Sequence, residues 1–157
     1  MKRTTLTLLT LSLLLLASCG KKVVLDETHN FKDETWMRFE PENFSVPIEN
    51  NDHIYRVCVT LRYDTSRLDY KSLPLVVNYF VDSMELHNFM PEIRLRDRNG
   101  KLRGEVYDHY CTVSDTIDRY RLYNRPGTYT YSIKQRTSKY SISGLTSITL
   151  KVERVEK

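Results

Sequence analysis

The chain has 157 residues, of which 24 are Lys or Arg and 20 are Asp or Glu, so its formal net charge is only +4. A chain of this length is expected to form a single domain around one hydrophobic core. The charge is too nearly balanced to favour a nucleic-acid partner, and we expect none.

Residues 1–18 are typical of a cleaved export signal. Lys2 and Arg3 precede an uncharged run of Leu, Thr and Ser over residues 4–16, which is too short to remain in a bilayer as a spanning helix. The run ends in Leu16-Ala17-Ser18-Cys19, which resembles the lipobox of bacterial lipoproteins. A buried helix that ends in an incidental cysteine is the alternative, but the run shows no amphipathic period.

The lipobox resemblance implies that the chain is cut before Cys19 and that this cysteine carries a diacylglycerol and a palmitate. We expect no cofactor other than this covalent lipid. Two or more acyl chains hold a protein stably on a membrane, whereas one is marginal. Residues 19–30 begin Cys19-Gly20-Lys21-Lys22 and continue as a mixed polar segment. They predict a lipidated tether ahead of a folded domain over residues 31–157.

Alternating apolar and polar residues predict β-strands throughout that domain. Residues 54–63 place Tyr, Val and Leu on one face and Arg, Cys and Thr on the other, as in a strand with one buried face. Residues 36–48 contain two prolines and predict an edge segment. Similar alternation recurs at residues 75–81, 93–96, 129–133 and 148–153. The pattern predicts an all-β protein, a single antiparallel β-sandwich of the jelly-roll or immunoglobulin-like kind.

Asn99-Gly100 predicts a β-hairpin, and a two-residue turn there pairs Arg98 with Lys101 and Arg96 with Arg103. In this register Ile93, Leu95, Leu102 and Val106 share an apolar face, and Glu105 is the cross-strand acid of Arg94. The opposite face is basic and consists of Arg94, Arg96, Arg98, Lys101 and Arg103. It is either a solvated edge protected from aggregation or a docking patch for an acidic protein or for lipid phosphates.

The sequence contains two cysteines in addition to Cys19, namely Cys58 and Cys111. An exported protein can form disulfides, so there are two alternatives: a Cys58–Cys111 bridge, or two separate buried thiols. Histidines 29, 53, 87 and 109 lack metal-ligand spacing, and the proximity of His109 to Cys111 is better explained as coincidence than as a base beside its nucleophile. We expect no metal, no catalytic residue and no small-molecule substrate.

Seven of the eleven tyrosines lie from Tyr107 onward. Tyrosines form either carbohydrate-binding platforms or half-buried cross-strand pairs. Alternation places Tyr129 and Tyr131 with Ile133 on one face, which favours the second interpretation. A carbohydrate-binding lipoprotein is nevertheless our alternative hypothesis.

Three stretches are similar to those of a known family when their order and spacing are taken together. They are Asp69-Tyr70 ahead of a long strand, Asp97-x-Asn99-Gly100-x-Leu102-x-Gly104, and Gly127-x-Tyr129 followed by Leu145-x-x-Ile148. Over roughly residues 31–153 the chain resembles the gliding-motility lipoprotein H family of Bacteroidota. Leu102 stands where that family tends to have Trp.

The resemblance implies a non-enzymatic accessory lipoprotein associated with gliding machinery and with type IX secretion components. It acts through contacts with other envelope proteins, and the lipid anchor attaches it to the membrane. Surface lipoproteins of that phylum usually carry acidic residues after the lipidated cysteine, whereas Lys21 and Lys22 follow Cys19 here. We therefore expect the periplasm-facing leaflet of the outer membrane.

Overall fold

The protein is described by a computed structural model over residues 22–155. Strands form nearly all of its regular structure, with one short 3₁₀ turn at Lys32–Glu34. The strands are β1 (Val23–Asn30), β2 (Thr35–Met37), β3 (Glu42–Ile48), β4 (Ile54–Asp64), β5 (Ser72–Val81), β6 (Met84–Phe89), β7 (Glu92–Arg94), β8 (Glu105–Tyr107), β9 (Tyr110–Arg121), β10 (Gly127–Gln135), β11 (Ser141–Ser143) and β12 (Leu145–Val155).

The strands form two larger antiparallel sheets. The first has the order β1-β12-β4-β9-β8, and the second has the order β3-β10-β5-β6, with β7 also pairing with β5. A small ladder joins β2 to β11. The prediction of an all-β antiparallel sandwich is confirmed.

The core lies between the two larger sheets and is built from the residue faces that alternation predicts. On β4, Tyr55, Val57, Val59, Leu61 and Tyr63 are each at most 2% exposed. The inward residues of β5, β10 and β12 are buried in the same way. Full burial of such side chains contributes about 1.5–3 kcal/mol each, which fixes the register because a one-residue slip would expose the whole face.

The tether predicted for residues 19–30 is wrong over Val23–Asn30, which form β1. This strand pairs with β12, from Val23 opposite Glu153 to Asn30 opposite Ser147. None of its residues is fully buried. It is an edge strand held chiefly by its backbone ladder, so its sequence carries little apolar signal. The folded domain thus begins at Val23, four residues after Cys19.

The sandwich has two distinct ends. At the proximal end, where β1 begins, the loops 49–53 and 122–126 connect the two sheets, and a two-residue turn at 82–83 joins β5 to β6. At the distal end the connections are longer and cover residues 31–41, 65–71, 95–104 and 136–140. The distal end therefore has most of the irregular surface on which side chains can be grouped.

Candidate functional site

The basic residues predicted to form a docking patch lie at the distal end, but the hairpin that carries them differs from the predicted one. Arg96 pairs with Leu102 rather than with Arg103. The N–H of Asp97 bonds to the carbonyl of Lys101, and the N–H of Gly100 bonds to the carbonyl of Asp97. These bonds enclose a three-residue loop, so the predicted register is wrong by one residue.

The cause of the shift is visible in the turn. A two-residue type I′ turn requires positive φ at both Asn99 and Gly100, whereas the three-residue loop requires it at the glycine alone. Of these two residues only Gly100 has a positive φ, +82°. The carboxylate of Asp97 accepts hydrogen bonds from the backbone N–H groups of Asn99 and Lys101, at 2.8 and 2.9 Å, and so stabilises the longer loop.

The two arms of the hairpin then separate and join different sheets. β7 pairs with the beginning of β5, with Arg94 opposite Ser72, while β8 pairs with β9, with Glu105 opposite Thr112. Glu105 is therefore not the cross-strand partner of Arg94 as predicted. Val106, which was expected on the apolar face, is 53% exposed. The segment bridges one edge of the sandwich.

This bridging segment and the loop before β5 enclose an open depression of about 310 Å³, which we call the basic depression. Its cations outnumber its carboxylates by five to two. Lys101, predicted as part of the same patch, is exposed but lies outside the lining. The lining residues are Lys71, Ser72, Glu92, Arg94, Arg96, Asp97, Arg98 and Arg103. The structure thus brings together four of the five predicted basic residues and adds Lys71.

Two of the arginines are fixed by acids of the chain. Arg96 contacts Asp69 at 3.3 Å and donates to the carbonyl oxygen of Gly100 at 3.0 Å. Arg103 contacts Asp115 at 3.1 Å, and the same carboxylate accepts a hydrogen bond from the backbone N–H of Arg94. These pairs hold the walls of the depression in place.

The other cations of the lining have no such partner. Within residues 22–155, no carboxylate lies within salt-bridge distance of Lys71, Arg94 or Arg98. The two acids of the lining accept hydrogen bonds only from neutral groups that the structure describes: Glu92 from the Ser72 hydroxyl at 2.5 Å, and Asp97 from backbone N–H groups of the turn. Five cations face the two carboxylates of the lining and the paired Asp69 and Asp115, so the depression has a small excess of positive charge.

Gly104 fixes the segment against the first sheet. A Cβ at this position would lie 2.1 Å from the carbonyl oxygen of Thr112 and 2.9 Å from the sulfur of Cys111. Only a residue without a side chain permits this approach to β9. The placement of the basic depression thus depends on one close backbone contact.

The alternative of a Cys58–Cys111 disulfide is wrong, because both cysteines are free. Cys58 lies opposite Thr116, whereas Cys111 lies opposite Tyr63, five residues further along β4. Cys111 is buried in the core, while Cys58 points to the other face and contacts the Thr116 hydroxyl at 3.5 Å. Five strand residues span about 17 Å, far beyond the reach of a disulfide.

His109 and Cys111 are not brought together either. His109 is exposed in the turn between β8 and β9, where its Nδ1 lies 2.7 Å from the Asp108 carboxylate. Over residues 22–155, no group of three His, Cys, Asp or Glu side chains has a metal-binding arrangement. That range also contains no helix long and apolar enough to cross a bilayer.

The tyrosines of the C-terminal half do not form an exposed row within the described residues. Tyr123, Tyr129 and Tyr131 are at most 3% exposed, and the hydroxyls of Tyr123 and Tyr131 lie 2.8 Å apart. Burial raises the pKa of Tyr131 to about 12, so the hydroxyl stays neutral. Exposed Tyr107 and Tyr120 lie at opposite ends of the sandwich. The cross-strand interpretation therefore applies to the buried tyrosines.

Several predicted features fall outside the described range. Cys19, the signal over residues 1–18 and Gly20-Lys21 all precede Lys22, where the description begins. Lipidation of Cys19 thus stays a prediction from the sequence.

Comparison with known proteins identifies the chain by its family. A family model matches residues 23–152, nearly the whole of the described sandwich, and this match defines the class of the protein as a lipoprotein. The family is described as GldH lipoprotein, and the chain belongs to it. The resemblance noted in the sequence is confirmed. Membership implies a gliding-motility-associated lipoprotein attached to a membrane of the cell envelope.

Similar solved structures are much more distant. The chain is 8% identical to dimeric latent PorU from Porphyromonas gingivalis, with 87% of this chain and 14% of that chain covered and a TM-score of 0.29. It is 7% identical to the Tobacco streak virus coat protein, with 90% and 92% covered and a TM-score of 0.26. Scores this low carry no argument about function. No curated protein matches the chain.

Proposed function

We propose that this protein is an outer-membrane accessory lipoprotein that acts by binding other envelope proteins, without catalysing a reaction. A diacylglycerol and a palmitate on Cys19 hold it on the periplasm-facing leaflet. Its partners belong to the gliding and type IX secretion machinery. The cationic lining of the basic depression supports a binding role, because guanidinium groups recognise carboxylates through paired hydrogen bonds.

The observation that carries this proposal is the position of β1 relative to Cys19. The family match begins at Val23, and β1 is paired with β12 from that residue onward. Two residues separate Cys19 from Lys22, and the three Cα–Cα steps between them span at most about 11 Å when the chain is extended. A lipid on Cys19 would therefore hold the proximal end of the sandwich close to the membrane surface.

Fractionation of cells that express the wild type, Cys19→Ala or Cys58→Ala tests the anchor. We expect the wild type and Cys58→Ala to incorporate labelled palmitate and to sediment with the outer membrane. Cys19→Ala should do neither, because it lacks the acylated sulfur. Palmitate labelling of Cys19→Ala, or an unchanged membrane fraction for it, would contradict the anchor.

Protease treatment of cells tests the leaflet. A domain that faces the periplasm survives protease added to intact cells and is digested once the outer membrane is permeabilised. Digestion on intact cells would place it on the outer surface instead.

Chemical crosslinking of the native lipoprotein in its membranes, followed by mass spectrometry, tests the partners. We expect crosslinks to envelope proteins of the gliding or secretion machinery in the wild type. The absence of any crosslinked envelope protein, at a crosslinker concentration that joins known envelope complexes, would refute action through protein contacts.

A further inference from the structure

The basic depression has more cations than carboxylates in its lining. Lys71, Arg94 and Arg98 line it without an ion-pair partner among residues 22–155, and the lining carboxylates of Glu92 and Asp97 already accept hydrogen bonds from the chain. Arginines placed around one concave surface repel one another unless an anion lies between them. The arrangement is therefore suited to receive carboxylates or phosphates from outside.

The position of the depression distinguishes between these two anions. Arg94 pairs with Ser72 at the distal beginning of β5, whereas Val81 at the other end of β5 lies beside the proximal turn 82–83. The ten residues of β5 place the depression about 30 Å from the proximal end. Charges in solution are largely screened beyond about 8 Å at physiological ionic strength.

If Cys19 is lipidated as proposed above and the strands stand upright on the membrane, its phosphates lie several screening lengths away from the depression. Carboxylates of a protein that approaches from the periplasm can reach it directly. The position therefore favours an acidic protein over lipid headgroups as the occupant.

Aromatic side chains lead away from the depression across the distal end. Tyr70, the neighbour of Lys71, lies 5.6 Å from the Lys139 ammonium group. The next residue, Tyr140, packs against Phe39 at 5.9 Å, and these two rings are 64% and 69% exposed. Arginine and exposed aromatic residues are the side chains that contribute most to protein–protein binding. A protein partner would thus meet both charged and apolar anchors.

From these observations we propose that the basic depression binds an acidic segment of a partner protein, with carboxylates seated on Arg94 and Arg98. The acidic segment extends along Lys71 toward Tyr70. This inference rests on the proposed function and names the chemistry of the partner. The binding surface faces away from the membrane that holds the anchor.

The test uses the full lipidated protein purified from membranes and placed in neutral phosphatidylcholine nanodiscs. The probe is a fluorescent peptide of ten glutamates, and its control is the matching peptide of ten glutamines. We expect the glutamate peptide to bind with an affinity that falls steeply as salt is raised, and the glutamine peptide to bind at least about tenfold more weakly.

Charge reversal locates the binding site. Arg94→Glu/Arg98→Glu should weaken binding of the glutamate peptide by at least about tenfold, since both changes replace attraction by repulsion. The matched control Lys32→Glu/Lys134→Glu alters the net charge equally but lies outside the lining, and it should change the affinity by less than about twofold. The milder pair Arg94→Gln/Arg98→Gln should give an intermediate loss and serves if the reversed pair fails to fold.

Three outcomes would overturn the inference. They are equal binding of the two peptides by the wild type, equal losses in the depression variant and its control, and binding of phosphatidylglycerol vesicles that the depression variant abolishes while peptide binding persists. None of them alters palmitate labelling or the envelope crosslinks of the wild type. Failure of this inference is thus distinguishable from failure of the proposed function.

Discussion

The two ends of the sandwich are stabilised by different means. At the proximal end buried tyrosines hold the loops, since the Tyr129 hydroxyl donates to the carbonyl oxygen of Arg125 at 2.9 Å and the Tyr55 hydroxyl donates to that of Asn50. At the distal end, Arg96 and Arg103 are held by ion pairs with Asp69 and Asp115. Buried tyrosine hydroxyls hold the proximal loops beside one ion pair, that of Arg125 with Asp82, whereas the two distal arginines are held by ion pairs.

The difference indicates a division of roles within one small domain. The buried hydroxyl groups hold the loops at little cost because each donates to a loop carbonyl oxygen. Exposed ion pairs contribute little stability, typically 0–1 kcal/mol, yet they set the direction of the surrounding charges. The buried hydroxyls therefore order the proximal loops, while the ion pairs of the distal end orient the charges of its surface.

The largest expected effect is at Gly104, where the basic segment meets β9. Because an added methyl group would overlap the backbone of Thr112, Gly104→Ala should lower the free energy of unfolding by about 3 kcal/mol. Denaturant unfolding measures this loss. The same variant should weaken binding of the glutamate peptide, since the depression is built on this contact.

Gly100→Ala is the matched control within the same segment. Nothing lies within 4 Å of the added methyl group, and the only penalty is the positive φ of +82°. A left-handed residue costs about 1–2 kcal/mol when it is not glycine. Equal losses for the two variants would mean that the close approach to β9 is not what holds the segment.

A smaller effect is expected from the tyrosines of the proximal end. Tyr131→Phe removes the partner of the buried Tyr123 hydroxyl and should cost about 2 kcal/mol. Tyr120→Phe alters a side chain that is 73% exposed and should cost less than about 0.5 kcal/mol. Thermal unfolding of the two variants measures the difference, and similar Tm values would show that the Tyr123–Tyr131 hydrogen bond does not stabilise the proximal end.

A third effect depends on pH and concerns His29, near the distal end of β1. Its two ring nitrogens lie 2.7 Å from the Glu42 carboxylate and 2.9 Å from that of Glu27, and Glu42 belongs to the other sheet. Partial burial lowers the pKa of His29, but the hydrogen bonds to Glu27 and Glu42 outweigh it and raise the pKa above its usual value of 6.5.

Because the folded pKa is raised, the stabilising contribution of His29 is complete below pH 6.5 and is lost as the pH rises through the folded pKa. The wild type should therefore lose stability relative to His29→Gln as the pH is raised above 6.5. Tm values of both proteins across this range provide the measurement. Parallel pH profiles would show that His29 does not link the sheets through its charge.

The smallest expected effect is that of a reductant on the folded domain. Because Cys58 and Cys111 lie on opposite faces of the sheet, a reductant should leave the Tm unchanged. In the native protein a thiol reagent should modify the half-buried Cys58 and should reach Cys111 only on unfolding. A fall in Tm on reduction would indicate a bridge and contradict the register of β4 and β9.

Much of the fold could be predicted because one face of each central strand is apolar. The alternation at residues 54–63, 75–81 and 129–133 identifies strands whose inward residues are buried as expected. β1 could not be found in this way, because an edge strand with half-exposed residues needs no apolar face. Its pairing with β12 is a long-range contact that leaves no local pattern.

The candidate site could be predicted only in part. The sequence shows that residues 94–103 are basic. It does not show that Lys71 lines the same depression, because this depends on the pairing of β5 with β7. The register error arose from Asn99-Gly100 itself, since the same dipeptide fits a two-residue or a three-residue loop. Asp97 was the available signal, because its carboxylate can bond the N–H groups of the longer loop.

The incorporation of β1 into the sheet has a mechanical consequence. If a lipid holds Cys19 while a partner pulls on the distal end, the force acts along the axis of β1. The hydrogen bonds to β12 are perpendicular to that axis, so the load is shared by the whole ladder rather than opening it one bond at a time. Beyond the ladder, Phe31 stacks on buried Trp36 at 4.9 Å and resists withdrawal of the strand. A protein held in this way would transmit tension between the membrane and a partner with little extension of its own.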